Sequence, residues 1–100
     1  MTLSKQDIFQ KIKKNSRLLH DYHIKTIGLF GSFVRNEQKK KSDIDMVVEF
    51  EPGVSLLDHA KFQNQLSDLF NRDVDVLSLS GIKPKLKSYI LKEVEWIEKY

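Results

Sequence analysis

The chain has 100 residues, 40% of them hydrophobic, with 17 basic and 14 acidic side chains and no cysteine. That length suits one compact domain, and the lack of cysteine excludes a disulfide framework or a thiolate metal site and fits a reducing cytosol. A net charge of +3 is too balanced to mark a nucleic-acid binder; the apolar runs fall far short of the roughly 20 residues that cross a bilayer, and Met1 to Asp7 lacks a signal-peptide pattern, so a soluble cytoplasmic protein is expected.

Ser4 followed by Asp7 marks a helix start, because a serine oxygen accepts a free backbone N–H and an acid favours the positive end of the helix. Ile8, Phe9, Ile12, Ser16 and Leu19 then recur at helical spacing and predict a first helix of about four turns, ended by His20 to His23. Ile24 to Phe30 is rich in β-branched and aromatic residues and reads as a buried strand stopped by Gly31-Ser32. The polar, basic stretch from Phe33 to Ser42 predicts a short helical turn and a surface loop, with Asn36 suited to a left-handed backbone.

Asp43 to Phe50 alternates, putting Ile44, Met46 and Val48 on one face of a second strand and Asp43 and Asp45 on the other. Glu51-Pro52-Gly53 breaks it. Ser55 then caps a helix running to about Asn71, with Leu56, Phe62, Leu66, Leu69 and Phe70 as its buried stripe. Asp73 to Ser78 is a third strand with Val74 and Val76 inward, and Pro84 opens a last helix carrying Leu86, Ile90, Leu91, Val94 and Ile97 to near Tyr100. Strands alternating with helices imply a mixed α/β or α+β layer with about three strands in one domain spanning residues 1–100.

The chemistry concentrates in two places. Asp43 and Asp45 point the same way from one strand, roughly 6.5 to 7 Å apart along it. Two bare carboxylates that close raise one another's pKa unless a cation lies between them, and Mg²⁺ suits a few carboxylates completed by water and phosphate oxygens. A lone Asp-x-Asp is also an ordinary solvent-exposed face. Gly31-Ser32, ten residues earlier, lets backbone amides approach a phosphate oxygen and offers a hydroxyl beside them, although Gly-Ser alone is usually just a turn. Neither common nucleotide-binding glycine loop is present. Asp73 and Asp75 share a face of the third strand; Asp75, the more interior, can join the pair if the third strand lies beside the second. Three carboxylates then match two-metal phosphoryl transfer.

Gly31-Ser32, Arg35, Ser42-Asp43-Ile44-Asp45 and Asp75, ending in a helix with Lys92-Glu93, resemble the minimal nucleotidyltransferases of the polymerase-β-like superfamily, especially the MNT antitoxins paired with HEPN toxins. The resemblance runs from Ile24 to Ile97. It implies transfer of AMP from ATP to a hydroxyl, with Asp43, Asp45 and Asp75 holding two Mg²⁺ ions and Gly31, Ser32, Arg35 and Ser42 binding the nucleotide. In such pairs the acceptor is a tyrosine of the HEPN toxin partner, so a hetero-oligomer is expected, and a homo-oligomer is open. Asn36 stands where the family often has glycine, and Arg35 either contacts phosphate or pins the turn.

Two other functions compete with this one: a non-catalytic antitoxin that occludes its partner over a vestigial nucleotide site, and a small-molecule nucleotidyltransferase whose acceptor pocket a partner chain completes. The remaining candidates read as bland. Lys39-Lys40-Lys41 is a solvated charge run, and His20, His23 and His59 have no ligand spacing. Trp96, Phe62 and Phe70 fall at helical core spacing.

Overall fold

The computed structural model describes residues 3–97. Helix α1 (Lys5–Lys14) begins in a complete capping box, Ser4 accepting from the Asp7 N–H while the Asp7 carboxylate accepts from the Ser4 N–H, and these two bonds hold the Asp7 pKa below the usual carboxylate range. The expected four-turn helix is in fact two. Asn15 leaves the helical region at φ −114°, ψ 33°, its side-chain amide donates to the Lys11 carbonyl, and α2 (Ser16–Asp21) restarts behind it. An asparagine that bonds its own backbone competes with the helical ladder, which is why the chain bends there.

Strand β1 (Ile24–Phe30) pairs antiparallel with β2 (Ile44–Phe50), and β2 pairs parallel with β3 (Val74–Ser78). Between β2 and β3 the chain crosses over through α3 (Leu56–Phe70), capped by Ser55 and closed by Asn71 at φ 52°. Phe62, Leu66 and Phe70 are buried as expected, but Leu56 is 87% exposed because it is the first helical residue, ahead of the turn that meets the sheet. Residues 33–42 form the expected turn and loop, the Arg35 N–H donating to the Gly31 carbonyl as in a single helical turn, with Asn36 at φ 58° as expected for that residue.

A 3-10 turn (Leu79–Gly81) leads into α4 (Pro84–Glu93), with Pro84 in its first turn. The last helix does not continue to Tyr100. Val94 is extended at φ −61°, ψ 138°, and Glu95–Trp96 forms β4, antiparallel to Gly28 and Leu29. The sheet therefore has four strands in the order β3-β2-β1-β4, not three. Gly28 makes this possible: a Cβ there would lie 2.5 Å from Val94 Cγ2 and 2.8 Å from the Trp96 ring. Trp96 is thus a strand residue, 39% exposed, and Leu86 and Leu91 are exposed as well; Ile97 is buried, though from beyond a strand rather than on a helix. The expected helical segment at residues 98–100 lies outside the described residues.

The core lies on one sheet face. Ile8, Ile12 and Leu19 from α1 and α2, and Phe62, Leu66 and Phe70 from α3, cover Ile27, Leu29, Ile44, Met46, Val48, Val74 and Val76. Alternation along β2 and β3 then sends Asp45, Val47 and Asp75 to the opposite face. The free edge of β3 is closed by α3: Ser67 Oγ accepts from the Val74 N–H, Gln63 Oε1 accepts from the Val76 N–H at 2.8 Å, and His59 Nε2 lies 2.6 Å from the Val76 carbonyl oxygen. An edge strand so covered offers no ladder to another chain.

Candidate active site

Asp45 and Asp75 are direct partners in the parallel β2–β3 register, so their carboxylates leave neighbouring strands on the same face. Asp43 lies just before β2 and is exposed; Asp73 lies just before β3, also exposed, and its carbonyl accepts from the Ile44 N–H. Burial first, then the charges of Asp75 and Asp43, hold the Asp45 carboxyl above the usual range; Arg35 opposes this and Glu93 adds to it. Burying a charge among like charges favours its neutral form. Among the described residues, no group of three acids or histidines is gathered closely enough to hold a metal ion. The donor set fits Mg²⁺ all the same, since it is carboxylate oxygen alone, Asp45 is held among like charges that a cation would relieve, and Mg²⁺ takes one or two carboxylates and completes its shell with water and substrate phosphate.

Gly31 turns the chain out of β1 at φ 84°, and a Cβ on it would collide with the Asp45 carboxylate. Glycine is required there for two reasons at once: the left-handed backbone and the room for Asp45. The Gly31 carbonyl accepts from the Val34 and Arg35 N–H groups, and the Ser32 carbonyl accepts from the Glu37 N–H. Among the described residues, the Ser32 and Phe33 N–H groups and the Ser32 hydroxyl have no protein partner. Three unspent donors at one turn are the kind of groups that can face an anion.

Arg35 is held from both sides, its Nε donating to Glu37 at 2.9 Å and its Nη1 to Glu93 at 2.7 Å. Partial desolvation works against its charge, but Glu93, then Glu37, outweigh this and raise its pKa above the ordinary arginine value. Ser42 uses its hydroxyl to accept from the Lys39 N–H at 2.7 Å, and its carbonyl accepts from Arg72 at 3.0 Å, while the Arg72 guanidinium lies 5.6 Å over the Phe33 ring. Arg72 thereby ties the loop before Asp43 to the turn after Gly31.

Two further residues reach the site without any spacing signal, although the family resemblance already ends on Lys92-Glu93. Glu93 accepts from the Gly31 N–H at 2.7 Å as well as from Arg35, although 62 residues separate it from the glycine. Arg72 reaches Ser42 across 30 residues. Neither belongs to a local spacing pattern, so only the return of α4 and α3 to the sheet shows what they touch.

A mixed sheet that sets paired carboxylates beside a glycine-serine turn with unspent donors defines a nucleotidyltransferase. The family model "Polymerase beta, Nucleotidyltransferase" matches residues 6–99, and the chain belongs to that family. A Methanocaldococcus jannaschii relative, provisionally named a protein adenylyltransferase, is 45% identical over 76 residues, which is 76% of this chain and 82% of the relative. The protein adenylyltransferase MntA of Thermococcus cleftensis is 36% identical, over 76% of this chain and 77% of its own length. Among solved structures, one provisionally described as a minimal nucleotidyltransferase superposes with a TM-score of 0.81 at 30% identity, covering 93% of this chain and 95% of its own. Two others share the fold: a toxin–antitoxin complex with AMP-PNP (TM-score 0.77, 23% identity, covering 92% and 73%) and an MNT antitoxin with a tri-AMPylated HEPN toxin of Shewanella oneidensis (0.69, 20%, covering 91% and 71%). No helix among the described residues is long and apolar enough to cross a membrane.

Proposed function

We propose that the protein is a Mg²⁺-dependent adenylyltransferase that moves AMP from ATP to a tyrosine hydroxyl of a HEPN-type toxin and so acts as its antitoxin, the whole chain serving as one nucleotidyltransferase domain. The observation that carries this reading is the placement of Asp45 against Asp75, directly beneath the Gly31-Ser32 turn. The name of the Thermococcus relative and the adenylylated toxin in one fold neighbour support the choice of a protein acceptor.

In this reading the Ser32 hydroxyl and the Ser32 and Phe33 amides donate to triphosphate oxygens, and Arg35 adds the guanidinium donors that Glu37 and Glu93 leave unspent. Ser42 holds the loop that presents Asp43. Asp43, Asp45 and Asp75 would hold two Mg²⁺ ions, whose charge would offset that of the phosphates and favour deprotonation of the acceptor hydroxyl. The tyrosine oxygen attacks the α-phosphorus, a new P–O bond forms, the bond to the bridging oxygen breaks, and pyrophosphate leaves with that electron pair while the phenolic proton passes to solvent.

The test is incubation of both proteins with Mg²⁺ and ATP labelled at the α or the γ phosphate. Label on the partner from the α position alone, absent for Asp43→Asn and Asp45→Asn, is the expected result. Label from the γ position, or neutralisation of the toxin that persists in full without the acids, overturns the reading.

A further inference from the structure

We infer that Glu93 is a positioning residue for nucleotide binding: its single carboxylate sets both the Gly31 turn and the Arg35 guanidinium in the places from which they engage the triphosphate. The inference rests on the adenylyltransferase reading above.

The argument begins with hydrogen-bond needs. Gly31 is buried, and its N–H has no strand or turn acceptor, so without Glu93 it would be an unpaired buried donor, a defect that folds rarely tolerate. Glu93 Oε1 meets that need at 2.7 Å and takes Arg35 Nη1 at the same distance. The Glu93 side chain is only 15% exposed, so this is a partly desolvated contact rather than a surface ion pair. The guanidinium is then fixed by two carboxylates, Glu37 on Nε and Glu93 on Nη1, which leaves the Nη2 donors without a protein partner among the described residues. A planar fork with one edge tied and one edge unspent is pre-organised for a phosphate oxygen.

Placement in the fold adds to this. Glu93 is the last residue of α4, immediately before the extended Val94 that starts the crossing into β4. Its position is thus set by the pairing of Glu95 and Trp96 with Leu29 and Gly28, the residues that lead into the turn itself. One strand end and one helix end therefore converge on the same oxygen. An anionic side chain beside an anionic ligand would weaken binding if it acted directly; here both of its partners absorb the charge.

The experiment measures AMP-PNP binding with Mg²⁺ by calorimetry on the full chain, so that no acceptor is needed. Glu93→Ala is expected to weaken binding about 10-fold, and Glu93→Gln, whose amide oxygen still accepts from Gly31, only about 3-fold. In an Arg35→Ala background the Glu93→Ala effect shrinks to about 3-fold, the part owed to the turn alone. The Gly31 amide proton resonance moves upfield in Glu93→Ala and stays near its wild-type position in Glu93→Gln. Should Glu93→Ala fail to fold, the Glu93→Gln and Arg35→Ala variants carry the same comparison. Binding within two-fold of wild type in a folded Glu93→Ala protein overturns the inference. So does tighter binding in either variant, which would make Glu93 a competing anion. A wild-type protein that fails to bind AMP-PNP overturns the adenylyltransferase reading itself, and that result is distinct from the other two.

Discussion

Asp45→Asn is expected to stabilise the nucleotide-free protein while abolishing transfer. Asp45 is half-buried, and its side chain accepts no hydrogen bond among the described residues, so the isosteric amide breaks none. Adjacent strands lie about 4.8 Å apart, which puts paired carboxylates roughly 5 Å from each other. At that distance two charges repel by about 0.8 kcal/mol in water-like surroundings and about 3 kcal/mol at an effective dielectric constant of about 20. With Asp75 exposed, the lower half of that range applies, about 1–2 kcal/mol. For a chain of this length that is a rise in Tm of about 5–10 °C.

The direction with pH follows from linkage. The folded-state pKa of Asp45 is raised above its ordinary 3.8, so the folded chain binds this proton more tightly than the unfolded one. Stability from this group is fully present below the ordinary value, falls as pH rises through the raised folded value, and stays lost above it. The advantage of Asp45→Asn is therefore full at pH 7 and vanishes in acid. Saturating Mg²⁺ with ATP reverses the order, because only the wild type gains from the bound cation. Thermal melts across pH, with and without Mg²⁺-ATP, check this. A Tm for Asp45→Asn at or below wild type at pH 7, or a gain independent of pH, refutes the electrostatic argument.

Gly31→Ala combines a left-handed backbone with a Cβ against the Asp45 carboxylate, so a loss of about 2–3 kcal/mol and of AMP-PNP binding is expected; denaturant melts and calorimetry read both. Asn36→Gly, at an exposed left-handed residue, is expected to stay within about 1 kcal/mol of wild type. Gly28→Ala drives a methyl into Val94 and Trp96, and hydrogen exchange is expected to rise at the Ile97 N–H, which bonds Ile27 across the β4 pairing; an unchanged rate there would contradict the packing described. Gln63→Ala leaves the Val76 N–H unpaired, and a urea midpoint lowered by the equivalent of about 1–2 kcal/mol is expected.

Much of this molecule is local and so legible. Ser4 with Asp7, Ser55 and Pro84 mark helix starts because capping and proline geometry act within one turn. The alternation of Ile44, Met46 and Val48 with Asp45 places the acid opposite the core because a strand has a period of two. Spacing also singled out Gly31-Ser32, Asp43, Asp45 and Asp75 as candidates, although it could not assemble them.

The errors have a common physical origin. Val94 to Ile97 carries apolar residues at a helical period, yet the chain is extended there and Glu95–Trp96 pairs as a strand, because Gly28 leaves room beside β1 for Val94 and Trp96. Asn15 interrupts a continuous helical pattern through a bond to its own backbone, which periodicity does not register. Leu56 fits the stripe of α3 and still faces solvent, since the stripe meets the sheet only after the first turn.

Residue spacing alone determined the class of elements and the chemical character of the site: a glycine turn followed by paired carboxylates. The tertiary structure decided which acids stand together and what holds the turn. The parallel crossover through α3 sets Asp75 against Asp45, and the return of α4 brings Glu93 to Gly31 and Arg35. Those contacts join residues 30, 62 and 58 positions apart, and their geometry depends on the whole sheet closing around one core, for which no local pattern of side chains carries a signal.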